Sequence, residues 1–335
     1  MRDFKKQGGF TGIAASTRVR LARNIKGYPY RGLTADQYKQ IAGKIWDALQ
    51  TAPAIAPSFT MTEIRPKSAE GAALVEKHLI SPELAQSGGW LIASTDGGVA
   101  IMVGEEDHMR LQVMGSGLCP KECMEEARRL AALIESQVPM DFDENLGYLT
   151  ACPSNLGTGL RASVMLHLPM MSAAGRIQGV ISAAGRQGFT VRGAYGEGSQ
   201  AVGGFFQISN QVTLGVSEDT IIDKLVALTT EVIENEKKLR EQVRSQNELQ
   251  LTDRIYRAAG TLKTARLIET NEAIDCLSNV LIGLSMGYLS GVSPTAVCEV
   301  EQAIRPAVLG GQPQERDKKR ADMLREMAKQ LQISE

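Results

Sequence analysis

Long apolar runs, histidine and a surplus of either charge are all scarce in this 335-residue chain, and each scarcity removes a class of function. No uninterrupted apolar stretch approaches the roughly 20 residues that a membrane-spanning helix needs, so no membrane role is expected. The opening MRDFKKQGGF is charged and lacks the apolar core of a signal peptide, which makes the cytoplasm the expected location. Lys and Arg number 37 against 38 Asp and Glu, a formal net charge of −1. A generic nucleic-acid binder would be clearly basic, so none is expected as substrate. The three histidines, His78, His108 and His167, form no paired motif, and a protein-held metal is not expected. The five cysteines, Cys119, Cys123, Cys152, Cys276 and Cys298, are too few and too irregular for a disulfide framework. The spacing of Cys119 and Cys123 is not that of a zinc knuckle, and redox chemistry finds no support.

What the chain does have is glycine, 33 residues of it, concentrated where charge is also concentrated. CPSNLGTGLR runs from Cys152 to Arg161, and VRGAYGEGSQ from Val191 to Gln200. A Gly-rich turn buries little apolar surface, so such density points to close approach of backbone to something polar. LGTGLR lacks the Gly-Lys-Ser/Thr ending of a Walker A loop, and by spacing alone Gly157 and Gly159 read as a tight turn. Two earlier segments share the character: STRVRLARN from Ser16 and GEEDHMR from Gly104. Arginine held near carboxylates is the common theme, and it points to phosphate handling beside a cationic substrate.

The length suggests two domains, or one with an appendage. Arg18 and Arg20 alternate with Val19 and Leu21, which reads as a strand that projects both arginines from one face. Helices are predicted from the Thr34 cap through LTADQYKQIAGKIWDALQ, through EGAALVEKHLI to about Ser81-Pro82, and through PKECMEEARRLAALIESQ with Pro120 in its first turn. WLIAST and VAIMVG read as a hairpin about Asp96-Gly97-Gly98, with Glu105, Glu106, Asp107, His108 and Arg110 beyond its second strand. MRLQVMG alternates as a strand. ASVMLHLPMM reads as a strand, AGRIQGVISAAGRQG as a helix, and GGFFQISNQVTLG as two strands around Ser209-Asn210. The absence of a βαβ rhythm favours an α+β fold with an antiparallel or mixed sheet. From Ser217 the pattern turns helical, and a final helix, QERDKKRADMLREMAKQLQ, carries an apolar stripe of Ala321, Leu324, Ala328 and Leu331. The division is placed near residue 235, giving domains 1–235 and 236–335.

Arg18, Arg20, Arg110, Arg161 and Arg192 each read singly as a surface or salt-bridged residue, yet as a set they suit a triphosphate, because planar guanidinium forks bind phosphoryl oxygens bidentately. Glu106 and Glu197 either neutralise those arginines or hold a cationic acceptor. Guanidinium, protonated below about pH 12, is a poor nucleophile, and two carboxylates that orient it and accept a proton address that difficulty. Cys152 reads either as a core cysteine or as a thiolate facing the acceptor. His78 suits a nucleotide contact or a helix-end hydrogen bond. His108 and His167 read as structural, and Asp107 as a local salt-bridge or cap partner.

With STRVRLARN, EKHLISP, EEDHMRLQ, CPSNLGTGLRASVMLHLP, VRGAYGEGSQAVGGFFQISNQVTLG, DRIYRAAG and RDKKRA in order along most of its length, the chain resembles the ATP:guanido phosphotransferases, in the branch of the bacterial protein-arginine kinases. The resemblance implies an antiparallel sheet flanked by helices, followed by a helical C-terminal domain. It implies that ATP is held by Ser16, Thr17, Arg18, Val19 and Arg20, by His78 and Arg110, by Arg161, Ala162, Ser163, Val164 and Met165, and by Arg192, Gly193, Ala194, Tyr195, Gly196 and Glu197. Mg2+ would arrive with the nucleotide rather than in a protein cage. Glu106 is implied as the base, Glu197 as a second carboxylate on the guanidinium, and Cys152 as its thiolate neighbour. The family's small-molecule kinases carry a helical domain before the STRVR block, which here begins at Ser16, whereas its protein kinases append a helical domain with an RDxxRA signature. Arg316, Asp317, Lys318, Lys319, Arg320 and Ala321 reproduce that signature, which implies a second, phosphoarginine-binding and allosteric site. Without the resemblance the same run is a charged helix face. Gly104 stands where relatives commonly have Asn, and Gln200 where they often have Glu.

The expected activity is therefore phosphorylation of arginine side chains in proteins, marking damaged or regulatory proteins for an ATP-dependent protease. A homodimer and a small zinc-binding activator protein are the further partners implied. The rivals are a kinase of free arginine or another small guanidino compound, and a non-catalytic phosphoarginine-binding adaptor.

Overall fold

The structure is a computed structural model that describes residues 3–194 and 201–334. The chain divides into two compact units: Met1–Gly8, Thr17–Ser163 and Ser209–Val226 make one, and Gly9–Ser16, Val164–Ile208 and Ala227–Glu335 the other. Glu197, Tyr195, Gly196 and Gln200 lie outside the described residues. Among the described residues no helix is long and apolar enough to cross a membrane.

The first unit is a sheet with helices packed on it. Its elements begin with β1 (Lys6–Gln7), β2 (Ala14–Arg23), α1 (Ala35–Gln50), β3 (Phe59–Ile64), α2 (Ala69–Glu76), α3 (Pro82–Ser87), β4 (Gly89–Ser94), β5 (Val99–Val103) and β6 (Met109–Ser116). They continue with α4 (Pro120–Glu135), the short hairpin β7 (Phe142–Asp143) and β8 (Gly147–Tyr148), and the first half of β9 (Leu160–His167). The strand order is β9-β2-β6-β5-β4-β3, with β1 paired parallel to the end of β6. Strands β3 to β6 form an antiparallel meander in which Phe59 faces Ser94 and Trp90 faces Val103. Its β4–β5 turn is the expected Asp-Gly-Gly: the Asp96 carboxylate accepts from the Ser94 hydroxyl at 2.5 Å and the Gly98 N–H at 2.9 Å.

Helix α1 starts at the expected Thr34, where Thr34 and Gln37 form a reciprocal capping box. It buries Ile41, Ala42, Ile45, Ala48 and Leu49, the one-sided stripe that its 3.6-residue period dictates, and packs on β4 and β5. Each buried large aliphatic side chain contributes about 1.5–3 kcal/mol. Helix α4 opens at Pro120, as expected, and lays Cys123, Ala127, Leu130 and Ile134 toward β6.

Two expectations need correction. EGAALVEKHLI is not one helix: α2 stops at Glu76, and His78 takes φ +58°, which no α-helix accommodates, before Pro82 opens α3. Nor does NQVTLG form a second strand. The Asn210 side chain accepts from the Ala162 N–H and donates to the carbonyls of Leu160 and Val212, so an amide side chain takes over backbone pairing as the strand stops.

In the second unit β10 (Phe189–Gly193) neighbours β11 (Phe205–Asn210), and β11 neighbours β9, whose residues 164–167 belong to this unit. With them come α5 (Pro169–Ala173), α6 (Ile177–Arg186) and the greater part of α7 (Glu218–Thr264), then α8 (Thr270–Met286), the two-residue strand β12 (Leu289–Ser290), α9 (Pro294–Ala303), α10 (Pro306–Leu309), α11 (Pro313–Ala328) and β13 (Gln332–Ile333). Helix α7 is interrupted at Asn247, whose φ and ψ of −143° and 41° are not helical. On α11 the expected stripe is buried: Ala321, Leu324, Ala328 and the following Leu331. A polar network runs through the core. Glu236 accepts from Arg240 Nε at 2.9 Å and from the N–H groups of Met170 and Met171, while Arg240 reaches the carbonyl of His167 at 3.2 Å and His167 Nε2 meets the Ser278 hydroxyl at 2.8 Å.

Candidate active site

The period of a β-strand gathers the arginines. Along β2 the side chains of Thr17, Val19 and Leu21 are buried, while Arg18 and Arg20 point to the other face. On β9 Leu160 and Ala162 are buried and Arg161 alternates with them, and on β6 Arg110 stands between buried Met109 and Leu111. Because β9, β2 and β6 are neighbours in the sheet, spaced roughly 4.8 Å apart, three distant motifs present one cationic face.

The electrostatics report that crowding directly. Burial first, and then the charges of Arg18, Arg110 and Arg161, push the Arg20 guanidinium well below its ordinary pKa, and Glu105 pulls the other way. Arg20 Nε is buried, and no described group accepts a hydrogen bond from it. An array of this kind suits an anion with several acceptor oxygens, such as a polyphosphate.

Glu105, which the sequence reading named only as part of an acidic run, is the buried member of the site. Its carboxylate is 3% exposed and forms an ion pair with Arg110 Nη1, whereas Glu106 is 40% exposed with Oε2 3.7 Å from Arg110 Nη2. The two carboxylates thus divide their roles: Glu105 locks Arg110, and Glu106 faces outward beside it. Between β5 and β6 the chain turns at Gly104, where φ is +95°. Glycine adopts that left-handed backbone freely, and a Cβ there would crowd the Tyr38 ring at 3.3 Å.

Asp107 is more than a local cap. It is 1% exposed, and its Oδ1 accepts from Asn24 Nδ2 at 2.9 Å and from the Ala151 N–H at 2.7 Å. Its Oδ2 accepts from Asn155 Nδ2 at 3.1 Å. The residue after Glu106 therefore holds the loop on both sides of Cys152. Cys152 is half-buried, its Sγ 3.1 Å from the Ser154 hydroxyl, and its carbonyl accepts from Thr150 Oγ1 and the Asn155 N–H. His108 is structural, as expected. Its Nδ1 accepts from the Ile25 N–H at 3.0 Å, which leaves Nε2 to donate to the Pro29 carbonyl at 2.9 Å, and burial lowers its pKa.

The glycines of this loop do approach something polar, namely the protein's own backbone. A Cβ at Gly157 (φ +105°) would collide with the Thr213 carbonyl, and one at Gly159 (φ +63°) with the Ala22 carbonyl. They fasten the loop to β2 and to residues 213–214.

The remaining expected nucleotide residues are placed as follows. Thr17 is inward and structural, donating to the Gly117 carbonyl at 2.7 Å and accepting from the Cys119 N–H. Ser163 Oγ donates to the Arg18 carbonyl at 3.4 Å. Ala162 and Val164 are buried beneath the face, Val19 likewise, and Ser16 and Met165 are half-buried. His78 is half-buried, with its carbonyl accepting from Gln112 Nε2 at 2.6 Å, so its positive φ serves a turn against β6. In the second unit Arg192 is exposed at the end of β10, followed by half-buried Gly193 and buried Ala194. Tyr195, Gly196 and Glu197 fall outside the described residues.

On α11 the RDxxRA residues separate by depth. Arg316 and Asp317 are half-buried, and Lys318 and Lys319 exposed. Arg320, by contrast, is 1% exposed: Nε donates to the Ile304 carbonyl at 3.1 Å, and Nη1 to the Ile268 carbonyl at 2.8 Å and to Asp317 at 2.6 Å. Ala321 is buried beside it. Arg320 is thus a brace for Asp317, not an open cation.

Comparison with known proteins gives the same direction. The family model described as ATP:guanido phosphotransferase, C-terminal catalytic domain, matches residues 39–239, and that described as protein-arginine kinase McsB C-terminal domain matches residues 248–335. A protein-arginine kinase of Bacillus mycoides (strain KBAB4) is 40% identical over 96% of this chain and 94% of its own length. One of Bacillus cereus (strain ATCC 10987 / NRS 248) is 39% identical with the same coverage. Among solved structures, a lombricine kinase superimposes with a TM-score of 0.59 at 26% identity, covering 69% of this chain and 68% of its own. The substrate-free duplicated taurocyamine kinase from Schistosoma mansoni shares the fold with a TM-score of 0.59 at 24% identity, covering 75% of this chain and 39% of its own. With its arginine face, its carboxylate turn and these matches over nearly its whole length, the chain belongs to the ATP:guanido phosphotransferase family, in the group of the protein-arginine kinases.

Proposed function

We propose that this chain transfers the γ-phosphoryl group of ATP to arginine side chains of proteins, giving ADP and phosphoarginine. The observation that carries the reading is the single face of Arg18, Arg20, Arg110 and Arg161 beside the Glu105–Glu106 turn. The first unit's arginines bind the phosphate oxygens, with the buried Arg20 Nε as an available donor, and stabilise charge as it moves from the attacked phosphorus to the leaving ADP oxygen. Mg2+ would arrive with the nucleotide and would supply neutralisation of phosphate charge there.

Glu106, outward-facing and next to Arg110, orients the acceptor guanidinium and takes its proton. As the guanidino nitrogen forms its bond to phosphorus, the bond from phosphorus to the ADP oxygen breaks, and the lost proton resides on the Glu106 carboxylate. Glu197 is assigned as the second orienting carboxylate, Cys152 as the thiolate neighbour of the acceptor, and His78 and Arg192 as further nucleotide contacts. Asp107 positions the Cys152 loop.

Residues 1–235 are read as the catalytic part and 236–335 as the regulatory part. There phosphoarginine would bind through Arg316 and Asp317, flanked by Lys318 and Lys319, with Arg320 and Ala321 as supports. A cytoplasmic homodimer that marks proteins for an ATP-dependent protease in stress response and quality control, with a zinc-binding activator, completes the reading.

The test is incubation of the full chain with Mg-ATP and an arginine-rich unfolded protein, then mass spectrometry under non-acidic conditions. Phosphate on arginine, absent with Glu106→Ala, is the expected result. Phosphate on free arginine alone would turn the reading to a small-guanidine kinase.

A further inference from the structure

In the first unit an open groove of about 320 Å³ lies between the β7–β8 hairpin and residues 213–216. Phe142, Leu146, Tyr148, Leu214 and Val216 line it. Phe142 is 57% exposed, Leu146 44% and Leu214 45%, and Val212, two residues before Leu214, is 50% exposed. Large apolar side chains exposed singly are ordinary, but several on the lips of one groove mark an interaction site.

Two features specify what it takes. The first is charge. Between Pro139 and Thr150 the chain carries Asp141, Asp143 and Glu144 and no lysine or arginine; among the described residues that line the groove the charged one is Glu218, which pairs with Arg128, and the Arg23 guanidinium stacks on the ring of Tyr148. An apolar groove with an acidic rim complements a basic polypeptide that bears an apolar side chain. The second is continuity with the acceptor loop. Tyr148 N–H donates to the Gly157 carbonyl at 2.8 Å, and Thr213 Oγ1 lies within hydrogen-bond reach of the carbonyls of Ser154 (3.0 Å) and Leu156 (2.7 Å). The walls of the groove are therefore fastened to the segment that carries Cys152. The rim is also set in shape: Asp143 Oδ1 accepts from the N–H groups of Asn145 and Leu146 and fixes the hairpin turn.

We infer that this groove docks the protein substrate: an extended, basic segment seats an apolar side chain against Phe142, Leu146 and Leu214 while its neighbouring arginine occupies the acceptor position. The inference rests on the protein-arginine kinase reading and adds to it a local sequence preference, an apolar residue at a fixed distance from the target arginine. Only the side chain that meets the groove is specified, so many sequences remain acceptable.

The experiment uses the full chain and blocked peptides in which one arginine is flanked by glycines, or by glycines with a single leucine placed at successive positions on either side. Phosphate incorporation and the anisotropy of labelled peptides are both followed. At one register leucine raises kcat/KM about tenfold over the all-glycine flank, equivalent to about 1.4 kcal/mol, chiefly through KM. Leu214→Ser and Leu146→Ser remove that gain and leave the glycine-flanked peptide unchanged. A gain at no position, or an equal loss on both peptides, would overturn the inference. So would variants that change the oligomeric state yet keep the leucine preference, which would assign the groove to a second copy of the chain. If the parent protein phosphorylates neither peptide but binds the leucine peptide through Leu214 and Leu146, docking stands and the kinase reading falls.

Discussion

Arg20 lies among Arg18, Arg110 and Arg161 with a buried Nε that nothing described accepts from. Two like charges roughly 5 Å apart repel by about 3 kcal/mol at an effective dielectric of 20, so neighbouring guanidiniums on this face oppose one another and a bound polyphosphate would offset that repulsion. Arg20→Met should therefore act in opposite directions on the two states. The ligand-free protein keeps or raises its unfolding temperature, while the stabilisation by Mg-ADP disappears and kcat/KM falls by about 10²–10³. Thermal melts with and without Mg-ADP check this, and an unchanged nucleotide shift would contradict it. The projection of Arg18 and Arg20 was legible in the sequence because a strand alternates by two regardless of context. The burial of Glu105 was not. Which of two adjacent carboxylates turns inward to Arg110 depends on the left-handed turn at Gly104, a backbone property that the letters EED do not carry.

At the scale of elements, the site is made by two turns that meet at Asp107. Its carboxylate receives three hydrogen bonds, one from each side of Cys152 and one from Asn24, and bonds to a charged acceptor contribute about 1.5–3 kcal/mol each. Asp107→Asn keeps the shape but turns an amide toward some of those donors. Turnover of a protein substrate should drop ~10–100-fold while Mg-ADP affinity stays within about twofold, because the arginine face is untouched. Equal losses in both would show that the turn supports the whole unit rather than the acceptor loop. Helix α11 offers a second contrast. Arg320→Ala leaves two carbonyls and Asp317 without their buried cation and should lower stability by about 3–5 kcal/mol, whereas Arg316→Ala should cost under ~0.5 kcal/mol and abolish phosphoarginine binding. Urea unfolding and phosphoarginine titration separate the two. The helix itself was legible from its stripe of Ala321, Leu324 and Ala328. The depth of Arg320 was not, since a basic residue one turn from Arg316 reads as solvent-facing until Ile268 and Ile304 are seen to offer it carbonyls.

Over the whole molecule, two buried imidazoles couple stability to pH. Burial lowers the pKa of His108, and burial together with Arg240 holds His167 well below its ordinary value. Unfolded histidine takes up its proton near pH 6.5 while these folded ones resist it, so the unfolded state binds more protons below that point. Their contribution is complete above about pH 6.5 and is lost as the pH falls, by up to roughly 1.4 kcal/mol per pH unit for each group. Glu236, raised by burial, acts in the opposite sense, so the comparison of parent and His167→Gln isolates the imidazole. Urea midpoints at pH 7.5 and 5.5 should fall with acidification in the parent and fall less in the variant. The α+β character, the β4–β5 hairpin and the long helix after Ser217 were readable from periodicity and turn residues. The grouping of Val164–Ile208 with Ala227–Glu335 was not, because it arises from pairings distant in sequence, such as Glu236 with the N–H groups of Met170 and Met171.

The central claim, phosphoryl transfer to a guanidino nitrogen, is tested most directly by the chemistry of the bond formed. A protein substrate labelled from γ-labelled Mg-ATP should be divided and held in acid and at neutral pH. The account predicts label that is lost in acid, is retained at neutral pH on a residue that mass spectrometry identifies as arginine, and never forms with Glu106→Ala. Acid-stable label on serine or threonine, or label that persists in the Glu106→Ala protein, would contradict it.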